Sequence, residues 1–233
     1  MDGTGLLAVV ARAVDSGGLW GLAAVAFVVG LSGAASPGPL LTVTIEQSMR
    51  RGFWAGPLLA VGHSVLEGLL VLALALGLAQ VMGHPLVFGV IGMAGGLALM
   101  WMGWGLVYPG KVEMAGAGAG TTEGWSPAAA GRIGLLGVVV SLTNPYWIGW
   151  WATAGLAQMT ASLALGAAGV VAFYLGHITS DLVWYSAVAG AMAKGRGVLR
   201  ANTYRWLLAI CGVFLWELGG YFIFHGIESL RAL

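Results

Sequence analysis

Charge and cysteine are what this chain has least of. Of its 233 residues only 8% are Asp, Glu, Lys or Arg, while 59% are hydrophobic and the mean hydropathy is +0.89. A soluble globule carries about 25% charged residues, so the composition excludes one and places the chain in a membrane. Its only cysteine, Cys211, sits in an apolar run, which excludes a disulfide framework, a CxxC redox pair and a cysteine metal cluster. A net charge of +1, with basic residues scattered over connections, leaves no footprint for nucleic acid. The N-terminal segment also lacks the basic n-region expected of a signal peptide. Asp2 precedes a weak apolar stretch broken by Arg12 and Asp15, so residues 1–17 read as an external or interfacial lead-in.

What is present is a series of hydrophobic runs near 19–49, 54–80, 86–108, 131–157, 163–192 and 205–227, bounded by Gly, Pro and charged residues. The first is interrupted by Ser36-Pro37-Gly38-Pro39 and the fourth by Thr143-Asn144-Pro145. The halves echo each other. Gly62-His63-Ser64-Val65-Leu66-Glu67 corresponds to Gly176-His177-Ile178-Thr179-Ser180-Asp181, and Gly96, Leu99, Gly103 and Leu106 correspond to Gly212, Leu215, Gly219 and Phe222. Three spans per half is an odd number, so the second half must insert upside down. The expected fold is an all-α membrane protein of six transmembrane helices, arranged as two inverted three-helix repeats with proline-broken first and fourth helices. Residues 18–108 form the first repeat and 131–233 the second; residues 109–130, rich in Gly and Ala, form a cytoplasmic linker.

Arg50 and Arg51, Lys111 and Arg132, and Lys194, Arg196, Arg200 and Arg205 fall in the first, third and fifth connections. The second and fourth carry none, so the positive-inside rule puts both termini outside.

Chemistry is expected where the helices break and where the acids lie. Pro37, Gly38 and Pro39, and Asn144 with Pro145, open their helices, and freed backbone is tolerated only inside the bundle or beside a wet cavity. His63 and Glu67 are four residues apart, as are His177 and Asp181, so each pair shares a helix face. Three readings stand for these four side chains: proton or substrate-ammonium binding during transport, a mixed nitrogen and oxygen site for a divalent metal, or hydrogen bonds that steady the bundle. Glu67, Asp181 and Glu217 lie at or near mid-depth with no Lys or Arg beside them, which biases the interior toward cations. Glu217 pairs with Trp101 in the repeat and so breaks the symmetry. Trp147, Trp150, Trp151, Trp184 and Tyr185 are candidate pocket walls, whereas Trp54, Trp104, Trp125, Trp206, Tyr108 and Tyr204 read as interfacial belt residues. Glu46 and Arg50 have the spacing of a surface ion pair, and Gly92 with Gly96 that of a close helix contact. The chain has no HExxH and no nucleophile motif, so no enzyme activity and no cofactor are expected.

These residues resemble the LysE/RhtB family of amino-acid exporters, within the wider LysE superfamily. The resemblance covers about residues 19–227 and rests on Ser36-Pro37-Gly38-Pro39, Arg51-Gly52 and Gly56, the Gly-rich end of the third span, Asn144-Pro145 and Asp181. It implies a six-helix inner-membrane protein, often a homodimer, that exports amino acids or related metabolites using a proton or ion gradient. Its partners would be a small-molecule substrate and the lipid bilayer. The chain departs from the common pattern by placing Tyr146 and Trp147 where a Lys follows the Asn-Pro, and by doubling the His and acid pairing. Metal-ion effluxers occur in other branches, which keeps a divalent-metal exporter using His63, Glu67, His177 and Asp181 as the alternative.

Overall fold

In a computed structural model the described residues are 3–78, 84–108, 125–195 and 201–231; they are almost entirely helical, with no strand among them. Helix α1 spans Gly3–Ala34, α2 Pro39–Arg51, α3 Ala55–Ala73 and α4 Pro85–Val107. After residues 109–124, which fall outside the described set, α5 spans Pro127–Leu142, α6 Pro145–Trp150, α7 Leu156–Leu163, α8 Gly166–Lys194 and α9 Ala201–Arg231. A π-helical turn, Leu74–Leu78, extends α3, and another, Trp151–Gly155, joins α6 to α7.

Among the described residues four helices are long and apolar enough to cross a membrane: Ala8–Ala34, Ala55–Leu78, Pro85–Gly105 and Gly166–Lys194. Pro127–Leu142 and Tyr146–Leu163, bent by 64° at their junction, make a fifth if counted as one span. Helices of this length and apolarity suit a protein embedded in a membrane.

The first of these is not one straight rod. Gly18 takes φ 55 and ψ −135, a conformation costly for any residue with a Cβ, and Gly21 packs against the Ala13 carbonyl, so the chain turns back on itself there. Residues 3–17 of the segment expected as a lead-in therefore form a helical arm. Its Leu6 and Val10 are buried in one core cluster with Leu22, Trp151 and Phe173, while Arg12 and Asp15 face outward. Two charges in so short a stretch suggest a peripheral segment, but on a helix they need occupy only one face.

The start of α5 also differs from the expected boundary. Ser126 Oγ accepts a hydrogen bond from the Ala129 amide at 3.1 Å and Pro127 occupies the first helical position, so the helix begins inside the stretch read as linker. The two expected breaks fall where proline put them, between α1 and α2 and between α5 and α6.

Packing divides the molecule into two parts. α8 lies against α1, α2, α3 and α7, and α3 lies against α5. α4 and α9 pack chiefly on each other, with α6 as the bridge from α4 to the rest. In that pair Gly96 meets the Gly219 carbonyl and Gly103 the Gly212 carbonyl, and each contact is returned from the other side. Positions rise on one helix as they fall on the other, so the pair is antiparallel. α3 and α8 are antiparallel too, with Gly56 at Tyr185 and Gly68 at Tyr174.

Candidate functional site

The paired faces of α3 and α8 meet. His63, Glu67, His177 and Asp181 are 6%, 1%, 3% and 2% exposed, and one carboxylate oxygen is their common point. The Nε2 atoms of His63 and His177 each lie 3.1 Å from Glu67 Oε1. Two tryptophans reach the same oxygen: Trp147 Nε1 donates to it at 3.1 Å and Trp151 Nε1 at 3.0 Å. An indole N–H can only donate, so Glu67 Oε1 is held as an acceptor whatever tautomers the imidazoles adopt. Trp151 reaches Glu67 because the π-helical turn beginning there follows α6, and such turns often mark functional sites.

Asp181 sits one step back. Its Oδ2 is 3.7 Å from His177 Nε2 and 4.0 Å from His63 Nε2, and it makes no hydrogen bond. Glu67 Oε2 is likewise buried without a partner. The two carboxylates thus each present one free oxygen to a largely dehydrated centre, where an unpaired acceptor is costly and is most readily satisfied by water or a cationic ligand.

The imidazoles are held differently. His63 Nδ1 lies 2.7 Å from Ser141 Oγ, which is also 2.7 Å from the Gly137 carbonyl. A hydroxyl can donate to one and accept from the other, so Ser141 can serve either form of His63. His177 Nδ1 has no partner; its ring instead stacks on Trp150 at 4.7 Å and 26° and on Phe173 at 6.0 Å and 24°.

Both helix breaks border this cluster. The surrounding cavity, of about 40 Å³, is lined by Gly33, Leu40, Asn144, Tyr146, Trp150 and Tyr185 as well as the four titratable side chains. It has room for a few water molecules at most. Gly38 lies beside Asn144, and the Tyr146 hydroxyl donates to Ser36 Oγ at 2.9 Å, tying one break to the other. Pro37 and Pro39 are half-buried within the first break, and Pro145 opens α6 at the second.

Of the residues expected to form the site, Glu217 stands apart. It is exposed on the outer face of α9, outside the cavity, as is Trp101 on α4. The helical period puts residue 217 opposite the buried stripe of Leu215, Gly219 and Phe222, a placement readable from the sequence. Trp184 also misses the cavity lining, while Trp147, Trp150 and Tyr185 line it. Ser141 is the residue sequence reasoning missed. It is a lone serine in an apolar run, and its partner is 78 positions away, so no local pattern announces it. Glu46 and Arg50 form the expected surface pair, at 3.2 Å.

His63, Glu67 and Asp181 could bring three ligand atoms within 4.8 Å of one another. At one of the two Glu67 oxygens the surroundings argue against a metal: Oε1 is already met by two indole N–H groups, whose positive ends oppose a cation there.

Comparison with known families gives one match: the model described as LysE type translocator matches residues 31–226. No curated protein and no solved structure matches the chain. The matched stretch takes in both helix breaks and all four side chains of the buried cluster, and the chain belongs to the LysE type translocator family.

Proposed function

We propose that this LysE type translocator is a secondary transporter that exports amino acids or related small metabolites across the cell's inner membrane, coupled to a proton or ion gradient. The observation that carries this reading is the meeting of two His and acid faces at one buried carboxylate, beside two opened helices. Intramembrane acids mark ion and substrate paths, and discontinuous helices beside them offer backbone groups to a solute. Glu67 and Asp181, with His63 and His177, bind the coupling proton or the substrate ammonium; Pro37, Gly38, Pro39, Asn144 and Pro145 shape the place where the solute rests.

The working mechanism is alternating access of two inverted three-helix units. In this reading the arm of α1 beyond Gly18 and α2 form one broken span, α5 to α7 form its counterpart, and α9 completes six. The reciprocal contacts of Gly96 with Gly219 and Gly103 with Gly212 support a two-fold relation, because exchanging the repeats turns each contact into the other. The basic connections support external termini. A cavity with room only for a few waters supports a closed state, which must open to one side to admit an amino acid.

The test is transport by purified protein in proteoliposomes loaded in turn with each of the twenty amino acids and with zinc, manganese or nickel, under an imposed pH gradient. Efflux of at least one amino acid, faster with the gradient than without it, is expected. Metal efflux with no amino acid moved would overturn the reading.

A further inference from the structure

The two helix breaks are chemically unlike. At the second, Asn144 caps α6 itself: its Oδ1 accepts the Tyr146 amide at 3.0 Å. At the first, the cap of α2 is Gly38, which has no side chain to offer, and the first bonded amide is that of Thr42, donating to the Gly38 carbonyl at 3.0 Å. Pro39 has no N–H, so the donors at this end are the amides of Leu40 and Leu41, for which the cap provides no acceptor. Leu40 lines the same cavity as Glu67 and Asp181. Across that cavity stand Glu67 Oε2 and Asp181 Oδ2, on side chains 1% and 2% exposed, both without a hydrogen-bond partner. The cavity thus borders, at Leu40, a helix end whose cap has no side-chain acceptor and, at Glu67 and Asp181, two oxygens without a donor.

We propose that the cavity is a two-point site for a zwitterion, in which the α-carboxylate of the substrate caps the N-terminus of α2 and its ammonium lies between Glu67 Oε2 and Asp181 Oδ2. This rests on the amino-acid export reading and adds a polarity to it. The amide donors and the positive end of the helix dipole favour an anion at the first break. The second break takes no part in holding the carboxylate, because its own asparagine already occupies the equivalent donor. The Asn144 amide nitrogen nevertheless borders the carboxylate position, 3.8 Å from where a Cβ on Gly38 would stand.

Gly38 also supplies the test. Its φ of −153 and ψ of −179 are extended values open to any residue, and an added Cβ would meet only Asn144 Nδ2 and the Ser36 carbonyl, each at 3.8 Å. Aspartate is among the best cap residues, so Gly38→Asp places a carboxylate of the protein's own where the substrate's is expected. Gly38→Ala adds the Cβ alone. For whichever amino acid the wild type exports from proteoliposomes, the apparent KM of Gly38→Asp should exceed that of Gly38→Ala by at least ~10-fold, the scale on which one charge-assisted hydrogen bond acts when a competitor takes its donor. The matching amine that lacks the carboxylate, isoamylamine for leucine or cadaverine for lysine, should inhibit both variants with equal potency. The melting temperature of Gly38→Asp should be no lower than that of Gly38→Ala. A KM for Gly38→Asp equal to that of Gly38→Ala would overturn the proposal, as would an amine that loses potency in step with the amino acid. Should Gly38→Asp fail to fold, Gly38→Asn decides on the same criteria. Failure of the wild type to move any amino acid is a separate result, which removes the export reading itself.

Discussion

The seam between α4 and α9 and the junction between α3 and α8 both bring antiparallel helices from the two halves of the chain together, yet they are built from opposite materials. In the seam the backbones themselves meet, glycine against carbonyl, and the flanking Leu99 and Leu215 are fully buried. At the junction the helices approach closely only toward one end, where Gly56 meets the Tyr185 carbonyl, and their middle holds two carboxylates, two imidazoles and the indole donors serving Glu67. A glycine seam gains close packing and has no group that can change charge. A charged junction has little to recommend it as glue, since buried ion pairs roughly break even against apolar packing, but its charges can respond to a proton or a cation. The seam reads as frame and the junction as working part.

The sharpest way to break that contrast is at the oxygen where the junction converges. Glu67→Gln keeps the shape but removes the charge and puts an amide nitrogen among groups arranged to donate. Net transport in proteoliposomes should fall at least ~100-fold, as expected when a buried charged hydrogen-bonding partner is removed, and the melting temperature should fall as well. Asp181→Asn, whose Oδ2 stands 3.7 Å and 4.0 Å from the two histidine Nε2 atoms, should also disable coupled transport, with a smaller fall in melting temperature than Glu67→Gln. A Glu67→Gln protein that still pumps would move the working part elsewhere.

The seam should show the reverse pattern. A Cβ on Gly96 would stand 2.6 Å from the Gly219 carbonyl, and one on Gly219 2.6 Å from that of Gly96. Gly96→Val should therefore push α4 from α9 and destabilise the protein by ~1–3 kcal/mol, the usual cost of overpacking. Transport per folded molecule should be affected far less than by Glu67→Gln. Comparing melting curves with transport normalised to folded protein checks both halves of the contrast.

How well each region could be read from the sequence follows the same division. Both are repeat features, and repeats leave a local mark: the glycines at 96, 103, 212 and 219 marked the repeat but not which of them meet, and the His and acid spacing put each pair on one helix face. The proline breaks were equally visible, because proline acts on the chain wherever it stands. What could not be read depends on contacts between distant segments. Trp147 and Trp151 could be placed near the site, but not as donors to one Glu67 oxygen, since that depends on the bend and π-helical turn after Asn144. The reversal at Gly18 had a local signal, the Gly17-Gly18 doublet, but that the residues before it fold back onto the core depends on contacts with distant Trp151 and Phe173.

A smaller effect belongs to Ser141, which distinguishes the two histidines. Ser141→Ala leaves His63 Nδ1 without its 2.7 Å partner, as His177 Nδ1 already is. The expected loss is ~1–3 kcal/mol of stability, the cost of an orphaned buried group, with transport slowed several-fold. Ser141→Thr, which keeps the hydroxyl, should recover most of the rate; if it recovers none, bulk at α5 matters and the hydrogen bond does not.

The smallest effect is expected at Glu217, the acid that sequence position alone makes a candidate for coupling. It lies on α9, one of the two seam helices, on the outward face with Val213, Phe214, Tyr221 and Phe224, all exposed. A coupling acid must exchange its proton or cation with the same cavity the substrate enters, and nothing lining that cavity comes from α9. Glu217→Gln should therefore leave the rate and the dependence on the pH gradient within about twofold of wild type, as for a surface change away from any site. Its stability should stay within about 0.5 kcal/mol for the same reason. The measurement is efflux against a series of imposed gradients, compared with Asp181→Asn in the same vesicles. Loss of gradient dependence in Glu217→Gln would make the seam a second working part and erase the contrast between the two regions; retention, beside loss in Asp181→Asn, confines coupling to the junction of α3 and α8.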